Sequence, residues 1–505
     1  MTTPKAPPSW LVLAMILVIA TTGLIYELVM AAVASYLLGD SVVQFSLVIG
    51  VYLSALGAGA YLSRFVEENL ERVFVQVELA CGLIGGLSAP LLFVAFAYAQ
   101  AFGFVLYGLV LTVGILVGLE LPIMLRLLKD TLDFRELISR ALTFDYVGSL
   151  VGSLAFSLWL FPTLGLVQSS ILCGALNALV GWFGARSLIL EKKSQQRATL
   201  QALCVLCLLG AAAFWANPFM AMVESRFYRG QNLISTEQTA YQRIALTERG
   251  KVLNLHLNGN LQFSSEDEYI YHEALAHPAL MYSAVHHSIL IAGGGDGLAL
   301  REVLKWPGVE RVVLVDLDPR MTELFSSDPR LTGLNLRSLH DRRVTVVNED
   351  AIIWLQQTNL RFDAAIVDFP DPTSYSLGKL YTEFFYRQLS SRLTPHGAFV
   401  VQATSPLFAR KAYWCIVETL RAAGLQVLPY HAYVPSFGEW GFVLASAHPL
   451  EQHAPPPAQL RFLTPGTLTS LFEFPADMQA VAAVPNRLNT QALVHAYGSA
   501  WQGLN

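Results

Sequence analysis

Charged side chains are scarce in this chain of 505 residues, at 14% of the sequence, whereas soluble proteins average about a quarter. The net charge is −5 and no long basic run occurs, so nucleic-acid binding has no support. Only five cysteines are present, mostly in apolar segments, and they do not indicate a disulfide framework. Cys204 and Cys207 form a CxxC pair in an apolar stretch, without a His or a second pair. We therefore predict that these two are core thiols.

Hydrophobic residues make up 54% of the chain and are concentrated between residues 10 and 219. An apolar helix needs about 20 residues to span a bilayer. Seven stretches are long enough, at 10–30, 42–63, 74–98, 102–126, 141–163, 166–188 and 200–219. The first is too long for a signal peptide and lacks a small-residue cleavage site. The sequence thus predicts an α-helical multi-pass membrane domain in contact with a lipid bilayer.

Basic residues cluster in the second, fourth and sixth connections between these stretches. The positive-inside rule puts those connections in the cytoplasm. After seven spans the rest of the chain would then emerge on the far side. A missed or re-entrant segment would reverse that orientation, so the sequence leaves the side of the soluble half open.

Acidic residues also lie within or at the ends of the apolar stretches, at Glu27, Glu78, Glu120 and Asp145. Acids inside a membrane are costly and often functional, in this case as a path for a cation such as a polyamine. The alternative is that they cap helices or lie at the membrane interface. A Leu-Pro pair directly after Glu120 favours that alternative for this residue.

The second half contains a stretch, Ile289 to Asp318, with the pattern of strand, glycine turn, helix and strand. The glycines at 293–295 let the backbone turn tightly and approach a ligand. Asp316 ends the second strand, at a position where an acid commonly binds the hydroxyls of a ribose. Asp296 lies inside the turn, where its negative charge would repel a phosphate. The pattern therefore predicts a nucleoside ligand that is cationic.

A pair of acids follows another predicted strand, Ala364 to Val367. Asp368 stands at the carboxyl end of this strand, and Asp371 follows three residues later. Ligands of open α/β sheets bind at this edge. No metal is expected at the pair, because no His or Cys cluster completes a coordination shell.

The remaining pattern predicts the fold class. Alternating apolar positions indicate antiparallel strands over 241–262, after a connection at 220–240, and a helix is predicted over 267–280. Strands and helices then alternate, which predicts a Rossmann-like (class I methyltransferase-like) α/β domain with a mostly parallel sheet and helices on both faces. We divide the chain into a membrane domain (1–220), a small β subdomain with its linking helix (221–280), the Rossmann-like domain (281–448), and a proline-rich linker with a helical C-terminal appendage (449–505).

Several motifs together carry a resemblance to a known family. They are Tyr271-His272-Glu273, GGGDG at Gly293–Gly297, LREVLK at Leu300–Lys305, Asp316, DxxDP at Asp368–Pro372 and LYTEFFY at Leu380–Tyr386. In their order and spacing, over roughly residues 235–446, the soluble half resembles the spermidine synthase (polyamine aminopropyltransferase) family. The helical half resembles the multi-spanning domain fused to such synthases in some bacteria. This resemblance implies a location in the bacterial inner membrane.

The resemblance implies that the aminopropyl group of decarboxylated S-adenosylmethionine is transferred to a diamine such as putrescine, giving spermidine and 5′-methylthioadenosine. Asp368 would accept the proton of the amine. The donor would be bound by Gln242, Gly293, Gly295, Asp296, Asp316, Asp350 and Ala351. The diamine would face Gln262, Tyr271, His272, Asp371 and Trp440. The donor is a co-substrate, so no tightly bound cofactor is expected, and the soluble relatives imply a homo-oligomer.

Two other functions stay open at this point. The first is an ordinary S-adenosylmethionine methyltransferase on the same fold, which Asp296 disfavours because it would repel the carboxylate of that donor. The second is a polyamine sensor or transporter without turnover, which has no need of a general base such as Asp368. Phe369 and Pro370 stand inside the DxxD motif, where the family usually has small polar residues. This departure leaves the identity of the amine open.

Overall fold

A computed structural model of the chain describes residues 9–38, 41–98, 102–129, 133–189, 191–228 and 230–502. The chain divides into two compact units, Met1–Arg229 and Gly230–Asn505. The first unit extends beyond residue 220, where the sequence analysis ended the membrane domain, because its last helix continues to Glu224.

The first unit is helical. Its helices α1 to α8 are Ser9–Leu38, Ser41–Leu62, Leu70–Gly86, Ser88–Tyr98, Phe102–Leu128, Phe134–Ala155, Phe161–Ser187 and Lys192–Glu224. A short 3₁₀ turn, Ser63–Phe65, follows α2, and a π-helical turn, Phe156–Leu160, joins α6 to α7. Each of the seven predicted apolar stretches lies on these helices.

The number of candidate membrane spans depends on two breaks in the helices. Within the described residues, five helical stretches are long and apolar enough to cross a membrane, and α3 with α4, bent by 43°, would make a sixth. One of the five is a stretch of 53 residues, Arg135–Ser187, in which Gly165 has non-helical φ and ψ of 70° and −178°. At about 20 residues per crossing, that stretch has the length of two spans. The count of seven spans therefore stays a prediction. It requires Arg135–Ser187 to cross the membrane twice and α3 with α4 to form one span.

Small residues bring the helices of this unit together. A Cβ atom on Gly148 would lie 2.5 Å from the carbonyl oxygen of Leu17, and one on Gly152 would lie 2.7 Å from that of Thr21. The Thr21 hydroxyl donates a hydrogen bond of 2.9 Å to the carbonyl of Gly148. The GxxxG spacing thus serves the contact of α6 with α1 inside one chain, as such spacings do between membrane helices.

The second unit begins with a small antiparallel sheet of order β1-β2-β3-β4. Its strands are Asn232–Gln238, Arg243–Arg249, Val252–Leu257 and Asn260–Ser264. Positive φ angles of 67° at Gly250, 51° at Asn258 and 82° at Gly259 lie in the two tight turns that join β2 to β3 and β3 to β4. Strand β1 lies within 220–240, which the sequence predicts to be a connection. This edge strand has no buried positions alternating with exposed ones, so the period-2 signal was lacking.

The main sheet has seven strands in the order β10-β11-β9-β8-β5-β6-β7. Strands β5 to β11 are Ser288–Gly293, Arg311–Asp316, Val344–Asn348, Phe362–Asp368, Leu393–Gln402, Gln426–Val434 and Gly438–Ser446. Strands β5 to β9 are parallel to their neighbours among themselves, while β10 and β11 are antiparallel. The prediction of a mostly parallel sheet is confirmed.

Helices cover both faces of this sheet, as predicted. Helices α9 to α18 are Glu268–Met281, Leu298–Val303, Pro319–Ser327, Pro329–Leu334, Ala351–Gln357, Tyr375–Gly378, Glu383–Ser391, Arg410–Ala422, Pro465–Leu471 and Ala492–Gln502. The C-terminal appendage belongs to this core. Leu468 of α17 belongs to the same buried cluster as Ile289 on one face, and Leu493 of α18 belongs to the cluster of Leu290 on the other.

The order of the strands in the main sheet shows where the binding crevice lies. From β5 the chain proceeds to β6 and β7 on one side, and then returns to β8 on the other side of β5. Such a reversal opens a crevice at the carboxyl ends of the two central strands, where open α/β sheets bind ligands. Gly293 and Asp368, which pair across β5 and β8, lie at this point.

Candidate active site

The glycine turn is packed tightly between two acidic strand ends. Gly293 has φ of 84°, and a Cβ atom there would lie 2.1 Å from the carbonyl oxygen of Asp368. A Cβ atom on Gly295 would lie 2.7 Å from the carboxyl carbon of Asp316. Only glycine fits these positions, so the turn holds the backbone against both carboxylates.

Asp316 and Asp296 give the donor side of the crevice its negative charge. Asp316 accepts hydrogen bonds from the amides of Gly295 at 3.0 Å and Asp318 at 2.9 Å. Burial nevertheless raises the pKa of Asp316 to about 6, against these two bonds. Asp296 accepts from the amide of Leu298 at 2.9 Å, and burial raises its pKa as well, with His272 opposing. These carboxylates favour a cationic ligand.

Gln242 reaches this side of the crevice from the small sheet. Its Nε2 donates to Asp318 Oδ2 at 2.9 Å, and the hydroxyl of Thr239 donates to the same oxygen at 2.8 Å. Asp318 was not singled out in the sequence, although it follows Asp316 by two residues. It holds the small sheet beside the ribose-binding position predicted at Asp316.

Asp350 follows β7 and begins α13, whose first residue is the buried Ala351. One carboxylate oxygen accepts from the amide of Ile352 at 2.9 Å. The other forms a salt bridge of 2.5 Å with Lys379 Nζ. Sequence reasoning missed Lys379, which comes from the loop after DxxDP. An amino group bound at Asp350 would therefore share this carboxylate with a lysine.

Asp368 lies at the carboxyl end of β8, beside the glycine turn. The hydroxyl of Tyr271, on α9, donates a hydrogen bond of 2.7 Å to Asp368 Oδ1. Burial raises the pKa of Asp368 to about 6, the charge of Asp296 adds to the rise, and His272 and the Tyr271 hydroxyl oppose it. The site thus holds a carboxylate that is ionised near neutral pH and more basic than an ordinary Asp.

His272 is buried on the same helix and belongs to a charged network. Its Nδ1 contacts the carbonyl of Glu268 at 2.7 Å and Glu268 Oε2 at 2.9 Å, while Arg301 binds both oxygens of Glu268 at 2.9 Å. Burial disfavours the imidazolium, but Glu268 outweighs it and raises the pKa of His272 to about 8, with Asp296 and Asp368 contributing. A protonated His272 would attract the carboxylates of Asp296 and Asp368 and repel the ammonium group of a substrate. It is therefore better suited to hold these two carboxylates than to contact the diamine.

Among the described residues, three side chains donate hydrogen bonds to Asp371. Tyr497 Oη donates to Oδ2 at 2.9 Å, Thr404 Oγ1 to Oδ2 at 3.2 Å and Gln402 Nε2 to Oδ1 at 3.3 Å. Burial raises the pKa of Asp371 to about 6 against these bonds. Thr404 has φ of 58°, which is unusual for a β-branched residue and typical of functional sites. None of these three donors was predicted.

Gln402, the last residue of β9, holds the loop that carries the acidic pair. Its Nε2 donates to the carbonyl of Phe369 at 2.6 Å, and its Oε1 accepts from Trp440 Nε1 at 3.2 Å. The Tyr381 hydroxyl also donates to the carbonyl of Phe369, at 3.1 Å. Trp440 thus contacts Gln402, which holds this loop, and its predicted contact with the diamine stays a prediction.

Gln262 is the predicted site residue that the structure does not join to this group. It lies on β4, and its Nε2 donates to the carbonyl of Asn260 at 3.4 Å. The described contacts contain no link from it to Asp368 or Asp371. In the part of the chain that the structure describes, no group of three or more His, Cys, Asp or Glu side chains could hold a metal ion.

Comparison with known proteins finds similar sequences and structures over the soluble unit. Residues 268–454 match the family model of the spermine/spermidine synthase domain. Among solved structures, the spermidine synthase of Thermotoga maritima is similar over 48% of this chain and 85% of its own, with 25% identity and a TM-score of 0.45.

Curated relatives match almost the whole chain, including the helical unit. The polyamine aminopropyltransferase of Leptospira interrogans is 45% identical over 96% of this chain and 97% of its own. Polyamine aminopropyltransferase 2 of Ralstonia nicotianae is 47% identical over 97% and 98% of the two chains. Polyamine aminopropyltransferase 1 of Streptomyces coelicolor is 39% identical over 99% and 97%. The chain therefore belongs to the polyamine aminopropyltransferase family.

Proposed function

We propose that this aminopropyltransferase uses decarboxylated S-adenosylmethionine as donor and putrescine as acceptor, with Asp368 as general base. The observation that carries the proposal is the carboxylate of Asp368, hydrogen-bonded to Tyr271 at 2.7 Å at the reversal of strand order. The products would be spermidine and 5′-methylthioadenosine.

Charge supports the choice of donor. Decarboxylated S-adenosylmethionine has a sulfonium and a terminal ammonium, and it lacks the carboxylate of the ordinary methyl donor. Asp296 and Asp316 lie on the glycine-turn side of the crevice, where they would attract these cations and repel a donor carboxylate. Asp350, with its partner Lys379, would accept a hydrogen bond from the adenine amine.

The reaction needs an amine that has lost its proton. Asp368 would take a proton from the ammonium of the acceptor, and the freed lone pair would attack the propyl carbon attached to sulfur. A C–N bond forms, the C–S bond breaks, and the sulfur leaves with the electron pair as a neutral thioether. The raised pKa of Asp368, about 6, makes it a stronger base than an ordinary Asp, and a positioned base typically contributes about 10²–10⁴-fold in rate.

Asp371 would hold the far ammonium of the diamine, so that the near amine is aligned for attack. The unusual Phe369 supports the same arrangement, because its side chain is buried in the core. Its ring contacts those of Tyr381 at 6.4 Å and Phe385 at 5.5 Å between centroids. Phe369 thus packs the loop between the two carboxylates against the core.

The test is a product assay on the full chain, purified in detergent. Wild-type protein is mixed with decarboxylated S-adenosylmethionine and putrescine, cadaverine or spermidine, and the products are measured by mass spectrometry. We expect spermidine and methylthioadenosine from wild type, a loss of about 10²-fold or more in Asp368→Asn, and unchanged activity in the exposed control Asp477→Asn. Equal activity in Asp368→Asn would exclude Asp368 as the base. Methylated products from ordinary S-adenosylmethionine would favour the methyltransferase alternative.

For location we propose a multi-pass protein of the bacterial inner membrane, with lipid around the helical unit. The five or six long apolar helices support this location. A homo-oligomer, implied by the soluble relatives, stays a prediction that size-exclusion chromatography with light scattering would test.

A second candidate function, binding or transport of an amine by the helical unit, has one observation in its favour. Glu78 and Glu120 are 0% and 1% exposed, and the carboxylate of Glu78 has no hydrogen-bond partner among the described residues. The thiol of Cys81, a weak donor, is a neighbour of both Glu120 and the fully buried amide of Asn177. A Cβ atom on Gly82 would lie 3.3 Å from the Cβ of Asn177, and one on Gly181 3.3 Å from that of Glu78, so glycines let α3 and α7 bring these side chains together. Buried carboxylates without partners are costly, and a protonated amine would satisfy them.

This second function is tested in proteoliposomes that contain the full chain. Entry of labelled spermidine is compared between Asp368→Asn, which blocks synthesis, and the same variant with Glu78→Gln and Glu120→Gln. If the amine function is correct, the two amide substitutions abolish entry. If entry is the same in both, or is absent from both, the helical unit is an anchor.

A further inference from the structure

The last helix of the chain reaches the acceptor side of the crevice. Tyr497 of α18 donates to Asp371 Oδ2 at 2.9 Å, the shortest of the three hydrogen bonds that this carboxylate receives. Tyr497 and Asp371 are 126 positions apart in the chain. Tyr497 lies outside the motifs that carry the family resemblance, which ends near residue 446.

We call residues 486–497 the C-terminal arm, and it is fixed to the loop that follows DxxDP. The side-chain amide of Asn486 is fully buried and donates to the carbonyls of Gly378 at 2.9 Å and Tyr381 at 3.2 Å. Its Oδ1 accepts from the amide of Leu493 at 3.2 Å. A Cβ atom on Gly378 would lie 2.5 Å from Val494 Cγ2. The arm and the loop are thus packed tightly against each other.

The C-terminal arm is important for function because Asp371, which it contacts, is proposed to bind the ammonium group of the diamine. A carboxylate that binds an ammonium group has to be ionised, and its two oxygens have to face the ligand in a fixed direction. Burial works against ionisation at Asp371. Donated hydrogen bonds favour the ionised form and fix its orientation. The Tyr497 hydroxyl supplies the shortest of these bonds from an element outside the sheet.

We propose that Tyr497 is a positioning residue for the acceptor amine, which holds the carboxylate of Asp371 ionised and oriented. The C-terminal arm thereby completes the acceptor side of the active site. This inference rests on the proposed function, in which Asp371 binds the diamine. Tyr497 acts through Asp371, to which its hydroxyl donates.

Steady-state kinetics of Tyr497→Phe in the full chain test the proposal. Loss of a hydrogen bond to a charged group corresponds to about 10-fold in binding, so we expect the KM for putrescine to rise about 10-fold. The KM for decarboxylated S-adenosylmethionine and kcat should change less than about 2-fold. The defect should shrink as pH rises from 6 to 9, because Asp371 ionises without help at high pH.

Tyr375→Phe is the matched control, since its hydroxyl contacts His495 Nε2 of the same helix at 3.3 Å and has no bond to Asp371 among the described contacts. It should leave the KM for putrescine unchanged. Thr404→Val removes a second donor of Asp371 and should raise the KM for putrescine in the same pH-dependent way. Wild-type kinetics in Tyr497→Phe, or an equal defect in Tyr375→Phe, would overturn the inference.

Isothermal titration calorimetry of putrescine binding tests the role of Tyr497 independently of the proposed enzymatic activity. Putrescine is titrated into the full chain saturated with methylthioadenosine, where no turnover occurs. Weaker binding by Tyr497→Phe than by Tyr375→Phe supports the role of Tyr497 even if wild type proves to have no putrescine-dependent activity. Equal binding by both variants overturns that role, whatever the activity assay gives.

Discussion

The hydrogen bond from Tyr271 to Asp368 offers a direct test of the base. Burial raises the pKa of Asp368 to about 6, and the Tyr271 hydroxyl is one of the groups that limit the rise. The bond is 2.7 Å long, as expected for a donor to a carboxylate. Tyr271→Phe removes the hydroxyl and keeps the ring, which packs with Phe442 at 5.4 Å between centroids. The variant should therefore alter the ionisation of Asp368 with little change in packing.

The expected rise in the pKa of Asp368 follows from the free energy of its hydrogen bond with Tyr271. A hydrogen bond to a charged group contributes about 1.5–3 kcal/mol, and about 1.4 kcal/mol corresponds to one pKa unit. Asp368 is partly exposed, so water replaces some of the loss, and we expect the pKa to rise by about one unit. Asp368 must be ionised to act as a base. At pH 6 the ionised fraction would fall from about one half to about one tenth, a loss of roughly 5-fold in rate, and above about pH 8 the loss should nearly vanish.

The assay is kcat/KM for putrescine between pH 5 and pH 9, with saturating donor. Wild type should show an acid limb with a midpoint near 6, the pKa that burial gives to Asp368, and in Tyr271→Phe the limb should move toward higher pH. Asp371 titrates in the same range, so the midpoint belongs to the two carboxylates together. Tyr269→Phe, on the same helix and under Arg461, is the control and should leave the limb in place. An unmoved limb in Tyr271→Phe, or a loss that is equal at every pH, would refute the reasoning.

Two further predictions concern the glycine turn and the buried ion pairs of Arg301. Gly293→Ala should abolish activity, because its Cβ would lie 2.1 Å from the carbonyl oxygen of Asp368. Gly250→Ala, also at positive φ but with no atom within 4 Å, should cost only about 1–2 kcal/mol in the free energy of unfolding and stay active. Arg301→Met removes one cationic partner from each of two buried glutamates, Glu268 and Glu302, and should lower the free energy of unfolding of the soluble unit by about 3 kcal/mol, measured by denaturant titration. The exposed Arg330→Met should lower it by less than about 1 kcal/mol.

Much of the fold follows from local signals in the sequence. Apolar runs at Ile289–Ala292 and Ala364–Val367, and the glycine turn between strand and helix, predict the central strands and their order along the chain. Because parallel strands end at one edge of a sheet, this order already brings Asp316 and Asp368 together. The seven apolar stretches likewise lie on helices, since length and hydropathy alone decide that property.

Other features depend on contacts that no local pattern records. Strand β1 carries mostly polar residues, and its pairing with β2 places it in the sheet. The salt bridge of Lys379 with Asp350 could not be predicted, because nothing near Lys379 in the sequence identifies its partner.

The sequence by itself determined the α/β class, the helical first half, and the acids that line the crevice, because strand periodicity and strand ends are local properties of the chain. The tertiary structure decided which side chains control those acids. Gln402, Thr404 and Tyr497 converge on Asp371 only after β9 and α18 have packed around the sheet. A hydrogen bond between residues 126 positions apart has no period or motif, and it exists only when the core brings its two ends within 3 Å.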